Sequence, residues 1–342
     1  MQARRVLLQV KYQGIDITKT VNDDLVNFSY TDNAAGEADS LSLTLKDDHK
    51  MWRDKWFPER EDRIEATIEA LDWRFRTDKQ ELPCGIFYID QPEYSGPPGQ
   101  ITLGAVSTPT NGGFQNVARS QTWKNIKVRM IANDIAFRAG LGLEFIGSHN
   151  PTLKEVEQSE ETDSSFLAKL CEDEGLAMKV TDRKIIIYSE SEFEKKAAVT
   201  TYDIDEDRVL DYSFRRNLST SKYDGCRVKY TDPTSGRTRE FTYMIDQITP
   251  TKDARIYRLT KKVNSQEEAR RAAINQLRKL NKHEYEASLT VVGHLQLVGT
   301  VCIMIENAGS LFNGKYFIRQ AAHSVGSGYT TRIEARKIME GL

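Results

Sequence analysis

The sequence predicts a mainly β protein with an α+β insert: two β-barrel-like domains separated by a small α/β domain, with one long helix near the C-terminal barrel. Three observations predict it. Short runs of alternating apolar and polar residues, punctuated by turn residues, recur up to about residue 107 and return after about residue 191. Between them the period changes to that of apolar helical stripes. Near the C-terminus a capping box opens a single long amphipathic helix. The expected boundaries are 1–107 for the first β domain, 108–190 for the insert and 191–342 for the second β domain, with its helix at 266–282.

In the first domain Val6, Leu8, Val10 and Tyr12 alternate with other residues, and Gly14-Ile15-Asp16 supplies a turn. Leu41, Leu43 and Leu45 alternate with Ser40, Ser42 and Thr44, and Ile64, Ala66, Ile68 and Ala70 form a similar run. Residues 85–90 and 101–106 add two more strands, and the turn signals Asp47-Asp48, Pro83 and Ser95-Gly96-Pro97-Pro98-Gly99 punctuate the whole series. Trp52, Trp56 and Phe57 lie among charges of both signs, which predicts a short helix or loop whose rings pack inward or against a neighbouring subunit.

Residues 108–113, rich in Pro, Asn and Gly, read as a linker. Ile126, Met130, Ile131, Ile135 and Ala136 then give a helical stripe that Gly140-Leu141-Gly142 ends. A second helix starts near Asp163-Ser164-Ser165, carries Phe166, Leu167, Leu170 and Cys171, and stops at Gly175. Two short strands, 177–180 and 184–188, follow, joined by Thr181-Asp182-Arg183.

In the second β domain Val228 and Tyr230 precede Asp232-Pro233-Thr234-Ser235-Gly236, a hairpin-turn pattern, and Phe241, Tyr243 and Ile245 come after it. Ser265, with Glu268 three residues on, forms the capping box; Ala269, Ala272, Ala273, Ile274, Leu277 and Leu280 recur at helical spacing. Three alternating strands follow, marked by Ala287, Leu289 and Val291, by Val301, Ile303 and Ile305, and by Thr331, Ile333 and Ala335. Between the last two, Tyr316, Ile318 and Gln320 follow Asn313-Gly314, a hairpin dipeptide that predicts positive φ at Gly314.

Composition narrows the function. The 342 residues are 39% hydrophobic and 29% charged, with 48 basic and 50 acidic side chains and a formal net charge of -2. That balance argues against a dedicated nucleic-acid binder. No run reaches the ~18 apolar residues of a membrane span. Met1-Gln2-Ala3-Arg4-Arg5 lacks a signal-peptide core, so a cytoplasmic product is expected. Cys84, Cys171, Cys226 and Cys302 form no CxxC pair; long-range disulfides stay open, with reduced thiols the expectation.

No catalytic, cofactor-binding or metal-binding residue is predicted. His49, His149, His283, His294 and His323 show no HxH or HExxH spacing, and His323 has no partnered nucleophile in view, so it reads as structural. The acidic run 155–163 could be read as paired glycosidase carboxylates. It reads more simply as solvated acids leading into a helix N-terminus. Asn111-Gly112-Gly113 and Gly326-Ser327-Gly328 lack the Lys-Ser/Thr of a phosphate loop and read as turns.

The order of several motifs carries more than any one of them. Thr31-Asp32-Asn33 is followed by Glu37-Ala38-Asp39-Ser40-Leu41-Ser42-Leu43. Trp123, Ile131-Ala132, Gly140-Leu141, Thr162-Asp163-Ser164-Ser165-Phe166-Leu167 and residues 170–175 come next. Gly299, Gly314-Lys315-Tyr316, His323 and Gly328-Tyr329-Thr330-Thr331-Arg332-Ile333-Glu334 close the series. Over nearly the whole chain this order resembles the late control protein D family, the baseplate hub proteins of contractile phage tails and phage-tail-like bacteriocins, including PBSX-type particles.

The resemblance implies that both β domains are of tail-tube type. It implies a homotrimer that joins a six-fold tail tube protein to a three-fold spike protein and anchors other baseplate proteins. It also implies that the hub forms part of the central channel, with the tape measure protein as a further candidate partner. DNA would be cargo only, membrane embedding is not expected, and no enzyme activity or cofactor is implied. The place would be the baseplate of a virion or tail particle assembled in the bacterial cytoplasm. A DNA conduit should present polar, net acidic residues to its lumen. The alternative functions are a tail-tip peptidoglycan hydrolase and a carbohydrate-binding adhesin.

Overall fold

The computed structural model describes residues 4–339 apart from 60, 109–112, 182, 207, 219–221, 232–235, 246–252 and 264. Period-two alternation builds its N-terminal part: β1 (Arg5–Tyr12), β2 (Ile15–Asp16), α1 (Thr18–Asp24), β3 (Leu25–Asn33), β4 (Ser40–Lys46), β5 (Arg63–Leu71), β6 (Lys79–Ser95) and β7 (Gln100–Val106). One face of each long strand goes inward, so Leu8, Phe28, Leu43, Ile64, Ile68 and Leu103 share a core that excludes water. Trp52 joins that core, edge-on to Tyr12 and Trp56, whereas Trp56 and Phe57 stay largely exposed.

Helix α1 has no apolar stripe to announce it, and its polar side chains do specific work. The Asn22 side chain accepts from Leu8 N at 3.0 Å and donates to Leu8 O at 2.7 Å. Thr18 Oγ1 accepts from Val10 N at 3.0 Å. Side chains thus stand in for a neighbouring strand along part of β1, which leaves less of its edge open to foreign pairing.

The middle segment contains α2 (Gly113–Asn116), β8 (Ala118–Lys127), α3 (Val128–Ala139), β9 (Gly142–Ile146), β10 (Thr152–Thr162), α4 (Asp163–Asp173), β11 (Ala177–Thr181), β12 (Lys184–Tyr188) and α5 (Glu190–Glu194). Helix α3 ends at Gly140, whose φ of 66° frees its amide to close the last turn. It starts after Ile126, because that residue lies in β8 opposite Leu153 of β10. The acidic run is therefore largely a strand, with Glu155, Glu157 and Glu160 exposed, and it leads directly into α4. Ile131, Ile135, Phe166, Leu167, Cys171, Ile185 and Ile187 form a separate core.

The C-terminal part runs β13 (Ala198–Asp203), β14 (Val209–Arg216), β15 (Gly225–Thr231), β16 (Thr238–Met244), β17 (Ile256–Val263), α6 (Gln266–Asn281), β18 (Tyr285–Val292), β19 (Cys302–Glu306), β20 (Gly314–Val325) and β21 (Tyr329–Lys337). Ser265 caps α6, its Oγ accepting from Glu268 N at 3.1 Å. The stripe Ala269, Ala273 and Leu277 packs on the sheet β16-β15-β17 through Cys226 and Val228. Leu289, Val291, Ile303, Ile305, Ile318 and Ile333 make another core. Residues 109–112 of the expected linker, Asp182 and turn residues 232–235 lie outside the described residues.

The two β regions share one sheet, in the order β14-β18-β21-β20-β3-β4-β7-β6-β5-β1-β2, with β19 and β13 branching from β20. The join is antiparallel β3–β20, from Asn33 opposite Gln320 to Phe28 opposite Val325.

Gly314 has the expected positive φ, 135°, but it opens β20 opposite Ile305 instead of forming a two-residue turn. The connection is a longer loop, braced by Asn313 Oδ1 accepting from Ala308 N at 2.7 Å. A Cβ at position 314 would also stand 3.0 Å from Lys337 Cε. Gly314→Val is expected to cost about 1–3 kcal/mol from backbone strain. Thermal unfolding checks this, and a melting temperature equal to wild type would refute it.

Candidate functional site

The groups with chemical potential are mostly buried, and they tie chain segments together. Lys179 of β11 reaches two carboxylates, Asp32 in β3 and Asp39 before β4, the latter at 3.0 Å. Asp32 Oδ2 accepts from Gly299 N at 3.0 Å, and Asp39 Oδ1 accepts from Asn33 N at 2.8 Å. Burial pushes the Asp39 carboxyl up to about 6 against the pull of Lys179. The backbone of residues 33–34 passes so close to Gly299 that a Cβ there would sit 2.7 Å from Ala34 N. One cluster thus joins both β regions and the middle segment.

A second cluster centres on α5. Arg336 of β21, 1% exposed, donates to Glu194 Oε1 at 2.5 Å and Glu190 Oε2 at 3.2 Å, with its guanidinium over the Phe317 ring. Arg278 of α6 meets the other Glu194 oxygen at 2.6 Å, and Lys282 meets Glu190 at 3.4 Å. Lys315 Nζ donates to the Glu194 carbonyl at 2.6 Å. Burial opposes ionisation of Glu190, but Arg336 and Lys282 outweigh it and hold its carboxyl below the usual range.

His323 is fully buried. Its Nδ1 lies 2.8 Å from the Tyr329 hydroxyl and its Nε2 2.8 Å from the Leu297 carbonyl oxygen, so Nε2 carries the proton. Burial pushes its pKa down to about 4, which makes it a neutral packing residue stacked on Tyr30. Asp163, from the acidic run, is also consumed: Arg138 grips it with two bonds, at 2.6 and 3.1 Å, and Gln158 Nε2 donates to it at 3.0 Å. Glu155 pairs with Lys124 on the surface. Asp163 and Glu155 are thus committed to separate cations, and the cleft that Glu155 lines is shared with Asp173, Glu174 and Glu268.

All four cysteines are buried free thiols. Burial raises Cys171 to about 12 and Cys226 to about 11, which keeps both protonated and unreactive. Among the described residues no His/Cys/Asp/Glu group could hold a metal ion, and no helix is long and apolar enough to cross a membrane. The surface does carry exposed apolar side chains: Phe137 at 87%, Phe75 at 67%, and Leu210 and Tyr212 on the end strand β14.

The arrangement is the fold of phage tail proteins. It superposes on a tail protein from Neisseria meningitidis MC58 with a TM-score of 0.71 at 13% identity, covering 97% of this chain and 96% of that one. The 43 kDa tail protein of prophage MuSo2 from Shewanella oneidensis gives 0.65 at 14% identity, covering 97% of each chain. In sequence, the chain is a homologue of phage baseplate hub proteins. It is 28% identical over 173 residues to the probable baseplate hub protein of Escherichia phage 186, and 29% identical over 174 residues to that of Escherichia phage P2. Each match takes in 50% of this chain and 42% of the relative. No family model matches. The resemblance to the late control protein D family of hub proteins holds at this level.

Proposed function

We propose that the chain is the structural hub of a contractile phage tail or a related injection particle. Its role is mechanical and non-catalytic: three copies join a six-fold tail tube to a three-fold spike, anchor surrounding baseplate proteins and form part of the channel. The tape measure protein is a candidate contact within that channel, through which DNA passes only as cargo. The virion or tail-particle baseplate, assembled in the bacterial cytoplasm, is its place, and its lumen is polar and net acidic. The observation that supports this most is the pair of β regions with separate cores in one continuous sheet. Three such subunits would present six pseudo-equivalent units to the tube and three-fold symmetry to the spike. The division at residues 107 and 190 follows the same logic.

The test is native mass, measured on the chain alone and co-expressed with its genomic neighbours. A trimer is expected in at least one sample, holding a spike in the second. A stable monomer in both would overturn the trimeric hub.

A further inference from the structure

We infer that the outer face of the sheet β16-β15-β17 is a docking surface for an acidic segment of a partner protein. Register decides which side chains share this face. Arg227 lies between Thr242 and Arg258, Lys229 lies beside Glu240, and Thr231 lies beside Thr238. The opposite face, with Cys226, Val228 and Phe241, is taken by α6. The outer face lines most of an open groove of about 610 Å³, to which Tyr230, Leu259 and Val263 of the α6 core also contribute. Among the described residues that line it, the cations are Arg227, Lys229 and Arg258, against one acid, Glu240.

Glu240 sits 3.5 Å from Lys229 and 3.9 Å from Arg227, so it compensates part of the charge. Arg258 is exposed and has no ion pair among the described residues. The net positive groove contrasts with a chain whose formal charge is -2. Its hydroxyls, from Thr231, Thr238, Thr242 and Thr260, can donate to carboxylates once the cations have drawn them in. Nucleic acid is the poorer fit. Tyr230, the aromatic residue at the groove, is 8% exposed and packs with the α6 core, so its ring is no open stacking platform. Charge complementarity therefore commits the site to an acidic peptide.

This adds a partner class to the hub reading and rests on it only for where that partner is found. The test uses the full chain and a fluorescent oligoglutamate, with an oligothymidylate of equal charge beside it. Anisotropy titration is expected to show oligoglutamate binding that weakens with salt. Lys229→Glu with Arg258→Glu should weaken it about tenfold, while Glu240→Gln should tighten it about threefold. If the double variant fails to melt like wild type, the single Glu240→Gln, which removes no cation, still decides the sign. Unchanged affinity in Glu240→Gln, no oligoglutamate binding, or tighter binding of oligothymidylate would each overturn the inference. A chain that stays monomeric yet binds in this way would sink the trimeric hub and leave the docking face standing.

Discussion

Arg336→Met is expected to destabilise the protein by about 3–5 kcal/mol, because it removes the guanidinium that two buried carboxylates share and leaves each with a single cation. Glu194 and Glu190 would keep Arg278 and Lys282 but lose the central cation that contacts both. The low end of the range is the better expectation, since Arg336 already carries a desolvation cost: its Nε and Nη1 are buried without hydrogen bonds. Denaturant unfolding reads the loss. Adding Glu194→Gln to Arg336→Met should deepen the loss, because it takes from Arg278 the carboxylate it pairs with. A loss below about 1 kcal/mol would mean that the cluster is not a tie between β21, α5 and α6.

Acid should weaken the fold through His323. Its folded pKa is about 4, below the ordinary value near 6.5, so the unfolded chain takes up the proton first as pH falls. The stability from keeping it neutral is fully present above about 6.5 and is lost as pH falls through the window down to about 4, for a total near 3 kcal/mol. His294, also pushed down to about 4 by burial and by Arg74, acts in the same direction. Asp39 opposes them: with its pKa raised to about 6, its contribution is greatest below its unfolded value and is lost as pH rises through 6. His323→Gln should lower stability at neutral pH, through loss of a bond to Tyr329 or Leu297, and should flatten the decline on acidification. Unfolding free energies measured between about pH 7 and 5 check both parts; a variant with the wild-type slope would refute the assignment.

Period and punctuation carried much of the fold. Leu41, Leu43 and Leu45 alternate because one face of β4 is covered, and Ser265 with Glu268 marks where α6 begins. The ribbon β8–β10 was not legible. Lys124, Glu155 and Glu157 face solvent there, and its inward side includes polar Gln121 and Gln158, so no clean apolar alternation remains. The β3–β20 join was hidden for another reason: its register depends on residues nearly three hundred positions apart, such as Asn33 and Gln320.

The buried ties were the least legible part. Lys179, Asp163, Glu194 and Arg336 are residue types that composition assigns to the surface, and only their partners in space make burial tolerable. Asp32, Asp39 and Gly299 did stand within the motif strings, and their meeting point was the available signal.

The β3–β20 seam has a consequence for how the molecule bears force. Its six residue pairs lie side by side along the strands. A pull directed along those strands loads all the rungs of that ladder together, in shear, so they must fail collectively instead of peeling one after another. A pull along the strands is therefore carried from one half to the other through the whole ladder at once.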